Sequence, residues 1–174
     1  MIGPGKKVAL AIAATAAVTM MAAAPAQAAM SCWNETQTAA AQVRNLQSRL
    51  MVASLRCVAM GHDVTPAYNR FVRASRATIQ GANGVIMAQF RDGHGGAAQL
   101  HYDRFATMLA NAYGADDTTE QVCAETAMIA DEAAQAAGDA RRLVEIADRL
   151  GAAPQLPGGR CGLSFAAAAG VSPN

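Results

Sequence analysis

Lysine is almost absent from this chain. Lys6 and Lys7 stand near the start and none follows in the remaining sequence. That excludes a phosphate-binding Walker A loop, whose lysine must reach the phosphates. It also excludes Schiff-base chemistry and an S-x-x-K nucleophile. Other signatures are missing too. There is no C-x-x-C, so neither a thioredoxin-like motif nor C-x-x-C-H haem attachment is available. There is no H-E-x-x-H zinc helix and no G-x-S-x-G elbow, and "GLSFA" at 162–166 is too poor a match to serve as one. Aromatic residues make up 5% of the chain, so alanine and aliphatic side chains must build most of the core. Charged residues make up 16%, and the formal net charge is +1, which gives no global attraction to nucleic acid.

One long apolar run is present, and it lies at the start. Lys6 and Lys7 precede Val8 to Ala24, Pro25 breaks the run, and Ala26-Gln27-Ala28 fits an A-x-A cleavage site. Residues 1–28 therefore read as a cleaved secretory signal, with the mature protein starting at Ala29. Twin arginines are lacking, which points to the general export route. No later stretch reaches the length of a membrane span. Residues 29–150 read as one helical domain and 151–174 as an irregular tail.

Four segments carry helical period. The first runs from about Thr36 to Met60, with Val43, Leu46, Leu50, Ala53, Cys57 and Met60 in one stripe and Asn34 and Gln37 as a capping box. The second starts at Thr65-Pro66, an N-cap followed by proline in the first helical position. Its stripe is Tyr68, Val72, Ile79, Ala82, Ile86 and Phe90, and it is read as continuing through Gly81 and Gly84. "DGHGG" at 92–96 reads as a loop. A third helix, about Ala97 to Tyr113, repeats Ala98, Tyr102, Phe105, Leu109 and Ala112. The fourth is expected to run from an Asp117–Glu120 capping box to Leu150, along Val122, Thr126, Ile129, Ala133, Ala136, Ala140, Leu143, Ala147 and Leu150, with a bend at Gly138. No segment alternates as a strand does. The fold expected is all-α: an antiparallel up-down four-helix bundle with two disulfides and an irregular C-terminal tail.

The stretches "CW", "LMVASLRC", "YNRFV", "YDRFATMLANAYG" and "LPGGRCG" together resemble a group of small secreted helical proteins of GC-rich bacteria. The resemblance covers most of residues 29–174. It implies export and carries no activity.

Cys32, Cys57, Cys123 and Cys161 form an even set in an exported chain, for which disulfides are the expected state. Cys32 and Cys57 sit at opposite ends of the first helix, roughly 35 Å apart at 1.5 Å per residue. A disulfide needs Cα atoms within about 7 Å, so these two cannot pair. The up-down order favours Cys57 with Cys123 and Cys32 with Cys161. A lipid on Cys32 is disfavoured, because Ala29 stands where a lipobox has a leucine-like residue.

Few residues offer chemistry. His94, His101 and Asp92 come nearest to a metal-ligand set, but their spacing matches no ligand code, and a glycine-rich turn with a solvent-facing histidine is the reading preferred. His62 beside Met60 is a second soft pair, again without a code. "HGG" looks like an esterase oxyanion loop but lacks the elbow. Asp116-Asp117 and Asp131-Glu132 read as caps and solvated faces, with no sign of a cleft around them. No cofactor is expected.

Charge is divided along the chain. Seven arginines face one acid between Thr36 and Arg91, whereas four face eleven acids between Asp92 and Leu150. Cross-helix pairing would neutralise the two halves. Alternatively Arg70, Arg73 and Arg76 meet an anionic envelope component or an acidic protein. The expectation is an exported, non-enzymatic binding or structural protein of the bacterial envelope, with a metal- or haem-binding bundle as the alternative.

Overall fold

The computed structural model describes residues 32–162. The leader, the expected start at Ala29 and the chain beyond Gly162 lie outside the described residues. The described chain is all-helical and holds two disulfides, Cys32–Cys161 and Cys57–Cys123, with Cα separations of 4.9 and 5.6 Å.

Helix α1 spans Glu35–Ala59, α2 Thr65–Ala74, α3 Arg76–His94, α4 Ala98–Asn111, α5 Glu120–Gln135 and α6 Ala140–Arg149. A single 3-10 turn, Gly95–Ala97, joins α3 to α4. Asn34 and Gln37 form the capping box of α1, each side chain bonded to the other's backbone N–H. At α2 the side chain that accepts is not Thr65 but Asp63, from the Thr65 N–H at 3.0 Å. At α5 the cap is Thr119, whose hydroxyl accepts from Val122, and not Asp117.

Helix α1 touches every other helix. It therefore buries more than the one stripe expected of it. Val43, Leu46 and Leu50 are buried on one side, and Thr38, Gln42, Asn45 and Ser48 are buried as well. The Gln42 amide donates to Asp148, and the Asn45 amide donates to the Ala152 carbonyl at 3.0 Å. A buried polar group without such a partner costs about 1–3 kcal/mol. Met60, at the end of the expected stripe, is 48% exposed.

Two expected helices are broken. The second breaks at Ser75, ahead of the glycines; α3 then runs straight through Gly81 and Gly84. The buried face of α2 is Ala67 and Phe71, one step out of phase with Tyr68 and Val72, and the break resets the phase for Ile79, Ala82, Ile86 and Phe90. The fourth breaks at Ala137–Gly138, both with positive φ (50° and 81°), and Asp139 recaps the chain for α6 by accepting from Arg141 and Arg142. The two breaks meet. The Thr78 hydroxyl donates to the Gly138 carbonyl, and a Cβ on Gly138 would stand 3.1 Å from that hydroxyl oxygen and 3.3 Å from the Ala74 carbonyl oxygen. Glycine suits this position both for its φ and for the close approach.

After α6 the chain is irregular through residue 162, and it returns to the start of α1. Trp33 N–H donates to Gly159 at 2.8 Å, Cys161 N–H donates to Trp33 at 2.9 Å, and the indole N–H donates to Pro157 at 2.8 Å. Trp33 is 1% exposed and belongs to the main core cluster.

Candidate functional site

The stretch expected to be a loop, "DGHGG", is mostly helix. Asp92 to His94 complete α3, and Gly95 (φ 51°) opens the short 3-10 turn that leads into α4. So tight a reversal fixes the last turn of α3 against the first turn of α4. His94 closes the one and His101 lies in the other. Their rings stack with centroids 3.4 Å apart and planes 2° from parallel. Sequence spacing alone gave no regular face to join them. The signal that was present is the pair of histidines bracketing Gly95-Gly96.

Phe90, one turn before His94, lies 6.1 Å from the His94 ring and 6.5 Å from the His101 ring. It packs on Phe105, and both phenyl rings contact Trp33. Arg104 and Met108 continue along α4, and Pro157 closes the far side. All of these except Trp33 line a cleft of about 450 Å³. Partial burial, then the positive fields of His94 and Arg104, hold the His101 pKa below its ordinary value of 6.5.

The stack does not chelate as it stands. Imidazole lone pairs lie in the ring planes, and parallel planes do not converge on one ion at the metal–nitrogen distance of about 2.0–2.1 Å. Among the described residues, no three His, Cys, Asp or Glu side chains come together as a metal-binding group. Asp92 is exposed and does not line the cleft. His62 sits apart, in a hollow with Asp63, Glu120 and Cys123, and the neighbouring Met60 is not part of its lining.

The three arginines singled out in sequence do not share one helix face. Arg70 and Arg73 lie on α2, and Arg76 opens α3 beyond the break. Arg70 is paired with Asp131 of α5 at 2.6 Å, an exposed contact. Arg73 and Arg76 are exposed, and no carboxylate pairs with either among the described residues. Glu132 is also engaged, by Arg149 at 2.6 Å.

Asp116 and Asp117, expected to be solvated, do line a cleft. It measures about 200 Å³ and also carries Arg49, Arg56, Tyr113 and Glu125. Its arginines serve the fold. Arg56 donates to the Thr118 hydroxyl and to the carbonyls of Tyr113 and Gly114, just past the end of α4. Arg49 donates to the Leu150 carbonyl at the end of α6 and stands 5.6 Å from the Tyr113 ring centroid. Both arginines place positive charge at the negative end of a helix dipole. Burial raises the Tyr113 pKa; the Asn45 hydrogen bond and Arg49 oppose that shift, and Asp116 adds to it.

No family model, no curated protein and no solved structure matches this chain.

Proposed function

We propose that this chain is an exported, non-enzymatic binding or structural protein of the bacterial envelope, in the periplasm or outside the cell. The observation that supports this best is the pair of disulfides, which span sequence separations of 129 and 66 residues. Bonds of this kind persist in oxidising compartments and are reduced in the cytosol of most organisms. No helix among the described residues is long and apolar enough to cross a membrane. Mass spectrometry of protein taken from its own compartment is the test. The expected result is an N-terminus at Ala29, no lipid on Cys32 and no free thiols. An intact Met1 or four thiols would count against export.

The architecture proposed with this function has four up-down arms, α1, α2–α3, α4 and α5, the second of them bent, with α6 folding back from α5 so that Arg149 pairs with Glu132. Contacts at both ends of α1 favour it. Gln37 near its start bonds Gln89 late in α3, and Cys57 near its end bonds Cys123 early in α5.

The partner proposed is an anionic envelope component or an acidic protein, met by the basic surface around the α2–α3 break. Arg70 is held by Asp131, so Arg73 and Arg76 carry most of this role. Replacing Arg70, Arg73 and Arg76 together with Gln is expected to abolish retention on phosphatidylglycerol vesicles at low salt. The melting temperature should hardly move, since exposed ion pairs contribute about 0–1 kcal/mol. Undiminished retention would remove this partner.

A further inference from the structure

We infer that the cleft between α3, α4 and the segment after α6 binds a small aromatic carboxylate, its flat body on the apolar floor and its anionic group against Arg104, His94 and His101. The floor is Met108 and Pro157 over the buried rings of Phe90 and Phe105; the polar members are two imidazoles and one guanidinium. Every polar side chain that lines the cleft is a donor or a cation, and no carboxylate lines it. Among the described residues no carboxylate pairs with Arg104. Asp103, the acid next to it, accepts from Gln99 on the same helix. A cation would be repelled here, and a polyanion would make no use of the apolar floor. An apolar body with one negative group uses both halves, as small-molecule sites with a few converging polar groups do. A planar body also suits the parallel, half-buried rings of His94 and His101, 2° apart in tilt.

The cleft is also preformed. Trp33 supports Phe90 and Phe105 from behind, and its indole N–H holds the Pro157 carbonyl. The Cys32–Cys161 disulfide closes the same end. Little ordering is then left for the ligand to impose. The low pKa of His101 fits the same picture, because an anion beside His94 and Arg104 would oppose the field that depresses it. Binding therefore strengthens as pH falls and His101 takes up its proton, since that charge favours the anion. Asp92 and Asp103 lie on the same two helices but do not line the cleft.

This inference does not depend on export or on the Arg73–Arg76 surface. The test uses the oxidised protein, 2-naphthoate as probe, and NMR of the histidine ring protons. Naphthoate is expected to shift the His94 and His101 signals and to raise the His101 pKa. Neither acetate, which lacks the body, nor 2-naphthalenemethanol, which lacks the charge, should match it. Arg104→Gln should weaken naphthoate binding about tenfold or more, the scale of one charge-assisted hydrogen bond. Unchanged circular dichroism would show that this exposed substitution leaves the fold in place. Arg104→Lys should recover part of the affinity, because it restores the charge without the planar fork. The inference is overturned by any of three results: no histidine shift at millimolar naphthoate, equal binding of the neutral alcohol, or full affinity in the Arg104→Gln protein. Tight binding of laurate without binding of naphthoate would overturn the flat body.

Discussion

The two ends of this molecule are closed by different means. At one end Trp33, Phe90 and Phe105 form an aromatic cluster continuous with the main core, and the Cys32–Cys161 bond is added to it. At the other end only Val64 and the two half-cystines Cys57 and Cys123 are buried in a small separate cluster, edged by Ala127. There the disulfide takes the place of a core, and Arg49 and Arg56 hold the ends of α6 and α4 by their carbonyls. A disulfide beside a well-packed core duplicates what packing already does, whereas one beside a thin core does what nothing else does. Loop length alone predicts the opposite order of importance, because the 129-residue separation constrains the unfolded chain slightly more than the 66-residue one.

The largest effect is expected at the aromatic end. Trp33→Ala removes two ring contacts, the indole bond to Pro157 and a side chain that is 1% exposed. Aromatic-to-alanine changes in cores cost about 3–5 kcal/mol. The denaturant midpoint should fall accordingly, and the His94 and His101 NMR signals should move, since the same cluster supports their cleft. A loss under about 1 kcal/mol would show that the aromatic end is not held by its core.

Next come the disulfides, and here the comparison decides between two accounts. Replacing Cys57 and Cys123 with Ala should cost about 4 kcal/mol, near the loop-entropy value. Replacing Cys32 and Cys161 should cost clearly less, because Trp33 still holds residues 157–161 through its backbone and indole bonds. Chemical denaturation of the two double variants measures both. If the Cys32–Cys161 variant is the weaker protein, loop entropy outranks local packing.

Much of this contrast was open to view in the sequence, and some was not. The even cysteine set and the length of α1 ruled out a Cys32–Cys57 bond, and Asn34 with Gln37 marked the start of α1. The stripe Ile79, Ala82, Ile86 and Phe90 lies on the buried face of α3. The break at Ser75 was hidden, because a 3.6-residue period continues on paper across a residue where the real helix resets its phase. The glycines at 81 and 84 drew attention to the wrong place; a Cβ at either would meet nothing within 4 Å. Trp33 precedes every helix, so no periodicity reported it as core. The histidine pair was hidden for a related reason. Reading 92–96 as a loop left the distance between His94 and His101 free, whereas a three-residue 3-10 turn fixes it.

A smaller effect tests the contact where the α2–α3 break meets the α5–α6 break. Gly138→Ala puts a methyl group at φ 81°, 3.1 Å from the Thr78 hydroxyl oxygen and 3.3 Å from the Ala74 carbonyl oxygen. A residue forced into such backbone costs about 1–3 kcal/mol. Gly81→Ala, in the open middle of α3, should be neutral or stabilise by up to about 1 kcal/mol. Thermal melts of the pair report opposite signs if α3 is continuous and the chain at Gly138 is bent.

The smallest effect expected is a dependence of stability on pH, and it belongs to the aromatic end. His101 has a folded pKa below its ordinary 6.5, through partial burial and then through His94 and Arg104. The unfolded chain therefore binds more protons than the native one as pH falls past about 6.5, and the slope of stability with pH is positive there. The native state should lose stability between neutral pH and the folded pKa of His101, and the loss should level off below it. Two protonated rings with centroids 3.4 Å apart, beside Arg104, give the same sign. His101→Gln should flatten this part of the profile, and Arg104→Gln should shift its midpoint toward 6.5. Denaturant midpoints from pH 7.5 to 5 for the two variants measure this, and a profile that His101→Gln leaves unchanged would take the proton-sensitive role away from the aromatic end.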